Sequence, residues 1–135
     1  MSKQLTKNFN LSEFRCRDGS EVPDEYIQNV ELLAKNLQVL RELLGCPIRV
    51  ISGYRSPKYN RKIGGARRSQ HMIAKAADIK VSGMTPDEVR SAILQLIDEG
   101  KMMQGGVGRY RSFTHYDVRA RKARWSGSGI KDDRK

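Results

Sequence analysis

The chain is short of the side chains that most often build reactive or metal-binding sites. Its 135 residues include two histidines and two cysteines. Cys16 and Cys46 show no paired spacing, and with no Cys-x-x-Cys nothing supports a thiolate metal site. Two reduced thiols are expected rather than a disulfide. No apolar run approaches the roughly 20 residues of a membrane span. Lys3 and Lys7 have no apolar stretch behind them, so no secretory signal is expected and synthesis in the cytoplasm is. Acidic residues are scarce too: 15 face 26 lysines and arginines, a net charge of +11. That surplus attracts polyanions, and nucleic acid and an anionic bacterial wall are the partners its sign allows. The clusters at Arg67-Arg68 and Arg119 to Arg124 come with no nucleic-acid-binding motif. Internal repeats, linkers and low-complexity blocks are also missing.

What remains reads as one soluble globular domain, with 38% hydrophobic and 30% charged residues. Phe9, Leu11 and Phe14 can anchor a short N-terminal turn. Pro23 suits the start of a helix, and Ile27, Val30, Leu33, Leu37, Leu40 and Leu44 recur at helical spacing up to Gly45. Pro47 to Ser52 is a β-branched strand, and Tyr59 to Ile63 a helical turn. Gly64 to Gln70 reads as a basic loop beside a cleft. Ala76 to Val81 is a second strand. Thr85-Pro86-Asp87-Glu88 is a capping box opening a helix to about Glu99. Gly105 to Tyr110 and Thr114 to Val118 read as a hairpin, and Trp125 as a last anchor. The order predicts an α+β fold: a small, mostly antiparallel sheet with two main helices.

The two histidines fall in matching contexts. His71 is followed seven positions later by Asp78, inside an apolar strand. An unpaired carboxylate there is costly, so Asp78 needs a metal ion or a cation such as Arg55 as partner. His115 lies on a strand two positions before Asp117, so both side chains point to one face. Two imidazoles and a carboxylate leave a fourth zinc position for water, which points to hydrolysis rather than a closed structural site. Asp117 can orient the His115 ring, or take a proton from the metal-bound water as general base. Most other acids lie on predicted helices, in the N-terminal segment or in the tail, so Asp117 is the base candidate. Arg55, at a strand end, can clamp a substrate carboxylate. Ser69 and Gln70 can bind substrate or support the loop.

These residues resemble the zinc D-alanyl-D-alanine carboxypeptidase family, which cuts bacterial wall peptides and has short single-domain forms in phages and prophages. The resemblance covers about Phe9 to Trp125. It rests on Phe9-Asn10-Leu11-Ser12-Glu13-Phe14, Ser52-Gly53-Tyr54-Arg55-Ser56, Asn60 with Ile63-Gly64-Gly65-Ala66, Ser69-x-His71, and Ala76-x-Asp78. Gly105-Gly106-Val107-Gly108-x-Tyr110, His115-x-Asp117-Val118-Arg119 and Ala123-Arg124-Trp125 complete it. It implies His71, Asp78 and His115 as ligands of one Zn2+, Arg55 as receiver of the substrate carboxylate, and a hedgehog-type zinc fold. Two positions depart from the family: Ala74 replaces a usual glycine, and Ser112 stands where several relatives carry an acidic base.

The expectation is a single peptidase domain over residues 1–125 with a basic tail over 126–135. The substrate is a peptidoglycan stem peptide, cut as a carboxypeptidase or as an endopeptidase. A monomeric phage or prophage lytic enzyme, released through a holin pore, reconciles a wall substrate with a missing signal. The alternatives are a catalytically weak wall-binding or virion module, motivated by Ser112, and a nucleic-acid binder, motivated by charge alone.

Overall fold

The computed structural model describes residues 3–127. Two longer helices, α1 (Ile27–Leu44) and α3 (Pro86–Asp98), and a short one, α2 (Pro57–Lys62), accompany five strands. The strands are β1 (Ile48–Ser52), β2 (Ala76–Val81), β3 (Gly106–Arg109), β4 (Thr114–Asp117) and β5 (Ala123–Ser126). One-turn 3-10 helices lie at Leu11–Phe14, Asp24–Tyr26 and Gln70–Ile73. The α+β architecture, with a largely antiparallel sheet and two main helices, is as the pattern predicts.

Local chemistry accounts for most boundaries. Val30, Leu33, Leu37 and Leu40 of the α1 stripe are buried, while Ile27 and Leu44 pack partly at its ends. Gly45 closes the helix in the left-handed region at φ 65°. The helix starts later than Pro23 suggests, because Pro23 caps the 3-10 turn that feeds into it. Thr85 and Glu88 form the expected capping box of α3, with Pro86 at the first helical position. Both cysteines are free thiols.

The sheet order is β1-β2-β4-β3-β5. All pairings are antiparallel except β3 with β5. One sheet face carries Ala77, Ile79, Val107 and Tyr116 into the core against α1 and α3. The Tyr116 hydroxyl donates to the Met103 carbonyl at 2.6 Å and to Asn36 of α1 at 3.3 Å. On the other face a single cross-strand row runs Ser52, Asp78, His115, Gly108, Trp125. A bulge between Val50 and Ser52 brings Ser52 opposite Asp78. Every strand therefore contributes one position to the same line.

The fifth strand is not foreseen in the sequence. It is a four-residue edge strand, half-buried throughout, behind a run of arginine and lysine that hides its alternation. Its pairing comes from a parallel return onto β3, which local pattern does not encode. Ser126, the first residue of the expected tail, belongs to this strand. From 128 onward that tail lies outside the described residues.

Candidate metal centre

Each site residue is placed by a different element. Ser69 caps the 3-10 helix Gln70–Ile73, its hydroxyl accepting the His71 amide at 3.2 Å. Ala74 ends that helix at φ 59°, ψ 30°, the one non-glycine residue with positive φ among the described residues. This left-handed residue turns the chain into β2, which carries Asp78. β4 carries His115 and Asp117. Arg55 follows β1, and its amide donates to the His71 carbonyl at 3.0 Å, tying the two loops together.

His71 Nδ1 lies 2.7 Å from the Gly53 carbonyl oxygen. A carbonyl only accepts, so Nδ1 carries the proton and Nε2 presents a lone pair toward Asp78 Oδ1 at 3.3 Å. Gly53 is itself fixed by the N-terminal segment, where a Cβ would stand 2.7 Å from the Phe14 backbone. His115 is supported differently. Its Nε2 meets Asp117 Oδ2 at 2.7 Å, and its Nδ1 meets Asp78 Oδ1 at 3.0 Å. The rings stand 5.2 Å apart at 73°. All three side chains are buried, and their donor atoms lie within 4.8 Å of one another.

This donor set fits zinc. Ligands at about 2.0–2.2 Å on a tetrahedral ion stand about 3.3 Å apart, close to the two histidine–carboxylate separations of 3.3 and 3.0 Å. Both outer ring nitrogens are engaged elsewhere, so both inner ones can face an ion.

The electrostatics follow from the same contacts. Burial disfavours the anionic form of Asp78, but the hydrogen bond from His115, and that from His71 when its ring is fully protonated, outweigh it and hold its pKa well below the usual carboxylate range. Burial lowers the pKa of His71, and Asp78 restores only part of the loss. Burial also opposes charge on His115, yet hydrogen bonds to Asp117 and Asp78 win and raise its pKa. Asp78 does not choose between metal and arginine. Its Oδ1 faces the histidines, and its Oδ2 accepts from Arg55 Nη2 at 3.1 Å. Arg55 Nε donates to Ser52 Oγ at 3.2 Å.

Asp117 shares a face with His115, as its strand spacing predicts. It sits behind that ring and is fully buried. Its Oδ2 receives His115 Nε2 and Arg119 Nη2, the latter at 2.7 Å. Its Oδ1 receives Arg119 Nε at 2.8 Å and the Gly106 amide at 3.0 Å. Burial works against its charge, but Arg119 and His115 hold its pKa well below the ordinary range. Ser112 is turned away from the site and lines a separate depression with Ile79, Met84 and Pro86.

A cleft of about 590 Å³ opens over the three donors. One wall is the loop from Gly64 to Gln70, so Ser69 and Gln70 both face it; the other holds Tyr110, Phe113 and Trp125. Among the described residues lining it, Asp78 is the only carboxylate. Sequence reasoning misses how this second wall is made. Trp125 lies over Gly108, where a Cβ would meet the indole at 2.7 Å, and its ring stands 4.9 Å from His115. Gly106 leaves the corresponding space for Asp117 and Arg119. Two glycines alternating along one strand are the signal that something large lies over that face. Asn60, which carries part of the resemblance but has no role assigned from sequence, is buried, and its amide group donates to the Ala66 carbonyl at 2.9 Å to hold the loop.

The profile of the Peptidase M15 family matches residues 6–117, which spans the N-terminal turn, all three donors and Arg55. The chain belongs to the Peptidase M15 family. That family is one of zinc-dependent metallopeptidases. Among curated proteins, none matches this chain.

Proposed function

We propose that this protein is a zinc peptidase that cleaves peptidoglycan stem peptides. One observation carries the reading: the buried triad His71, Asp78 and His115 turns three donor atoms toward one point, with both imidazoles locked from behind. Zinc, when held there, supplies a Lewis acid for the scissile carbonyl and a water of pKa lowered toward about 7. The residues around it do the rest. Arg55 is anchored through Nε and Nη2, which leaves Nη1 to take a substrate carboxylate. Ser69 and Gln70 line the approach and supply polar contacts to the peptide backbone.

Of the two roles expected of Asp117, this reading takes the orienting of His115 rather than the general base. All its acceptor positions are filled by His115, Arg119 and the Gly106 amide, and none of its surface reaches the cleft. The strong positive charge suits attraction to an anionic wall. The reading covers carboxypeptidase and endopeptidase cleavage alike. A monomeric phage or prophage lytic role fits the same charge and substrate.

A second reading is a zinc-holding wall-binding module of little turnover. The lack of a free carboxylate among the described cleft residues favours it. Incubating zinc-loaded protein with synthetic stem peptides, with and without chelator, separates the two by mass spectrometry. Chelator-sensitive cleavage that disappears in His71→Ala supports the enzyme. Peptide binding without cleavage supports the module.

A further inference from the structure

We propose that Arg119 is a second anion-binding group of the cleft, and that the preferred peptide carries a free side-chain carboxylate on the opposite side of the cleaved bond from the one Arg55 holds. This rests on the peptidase reading of the site. Arg119 binds Asp117 through one edge of its guanidinium, Nε at 2.8 Å and Nη2 at 2.7 Å. Its guanidinium carbon lies 5.1 Å from the Trp125 ring centroid, so the plane is fixed by stacking as well as by hydrogen bonds. The side chain is 29% exposed and lines the cleft. A guanidinium has five N–H donors, and this anchoring leaves both on Nη1 and the outer one on Nη2. That remaining edge has the fork geometry that fits a carboxylate.

Arg55 is held in the same manner, through Nε to Ser52 and Nη2 to Asp78. The two arginines stand on opposite flanks of the donor triad. Arg55 bonds to the β1 and β2 positions of the cross-strand row, and Arg119 stacks on its β5 end. Between them lie Asp78 and His115. Two pre-positioned guanidinium edges flanking one reaction centre suit two carboxylates on different residues of one peptide. Arg68 adds a third positive charge to the wall, against Asp78 as the one carboxylate lining it among the described residues. It is exposed on the loop and shows no comparable anchoring, so it contributes field rather than geometry. A neutral peptide would leave the Arg119 edge facing only water.

The test uses two synthetic D-residue stem peptides with the same free C-terminal carboxylate. They differ at one group: the residue on the acyl side of the cleaved bond carries a side-chain carboxylate in one and its primary amide in the other. Zinc-loaded protein is expected to favour the carboxylate peptide at least tenfold, in kcat/KM and in calorimetric Kd. Arg119→Lys keeps a cation beside Asp117 but has no second fork, and its preference is expected to fall below about twofold. Should that variant misfold, the wild-type ratio decides alone. Chelator-sensitive cleavage with equal treatment of both peptides overturns the inference and leaves the peptidase reading standing. Tenfold discrimination in binding with no cleavage keeps the Arg119 subsite and sinks the peptidase. No binding and no cleavage of either peptide overturns both.

Discussion

His71 and His115 face the same carboxylate oxygen of Asp78 from opposite kinds of support. His71 leans on a backbone carbonyl, Gly53, that is neutral and set by the packing of the N-terminal turn. His115 leans on a carboxylate, Asp117, that is itself clamped by Arg119. The neutral support leaves burial in control, so the pKa of His71 falls; the charged support overrides burial, so that of His115 rises. One histidine is thus fixed mainly by shape, and the other by charge. A carbonyl support cannot be removed by changing a side chain, whereas a carboxylate support can, so the His115 side is where the pair is open to experiment.

The largest expected effect comes from removing that charge. Asp117→Asn should weaken zinc binding roughly 10- to 100-fold, as loss of a ligand's outer hydrogen-bond partner usually does. Competition against a fluorescent chelator measures it. Unchanged zinc affinity beside a rate loss of about 10²–10⁴ would instead return Asp117 to the role of base. Next is Gly108→Ala, which also acts on the His115 side. The added Cβ meets the Trp125 indole at 2.7 Å, and displacing that ring should cost about 1–3 kcal/mol in a denaturant melt. A melt indistinguishable from wild type would show that Trp125 is loosely held.

A smaller and more direct measure is the order of titration. In chelated protein followed by NMR, His115 should hold its ring proton above the ordinary histidine range near pH 6.5. His71 should lose its proton below that range. The reverse order would erase the contrast between the supports. The smallest effect is on the His71 side. Ala74→Gly relieves a left-handed alanine worth about 1–2 kcal/mol. It also deletes a buried methyl of about 0.8 kcal/mol and adds about 0.5–1 kcal/mol of chain entropy. The net change should stay within about 1 kcal/mol of zero by thermal melting, and a larger shift in either direction would mean that the turn is not governed by this residue's φ.

The legible parts of this molecule are those set by local periodicity or by the cost of burial. The α1 stripe shows itself because its leucines repeat at helical spacing, and the α3 start because its capping box is contiguous. Asp78 stands out because a carboxylate in an apolar strand needs a partner. His115 and Asp117 are legible as sharing one face, but two-residue spacing does not say which ring nitrogen the carboxylate reaches. That depends on the rotamer of His115 and on the arrival of Arg119, neither of which is local. The division of Asp78 between Arg55 and the histidines, the turning away of Ser112, and the return of β5 onto β3 all arise from pairings between distant segments. The alternation of Gly106 and Gly108 announces that large groups cover that face without naming them.

The row of positions crossing all five strands has one more consequence. An ion seated on Asp78 and His115 grips neighbouring strands at once, and through His71 it also grips the loop that precedes them. Because an unfolded chain offers no such arrangement, occupancy of the centre favours the completed sheet in proportion to the logarithm of free ion. An ion held there would therefore be a fastener as well as a reagent, and a cell that withheld it would loosen the protein's architecture along with any chemistry at the centre.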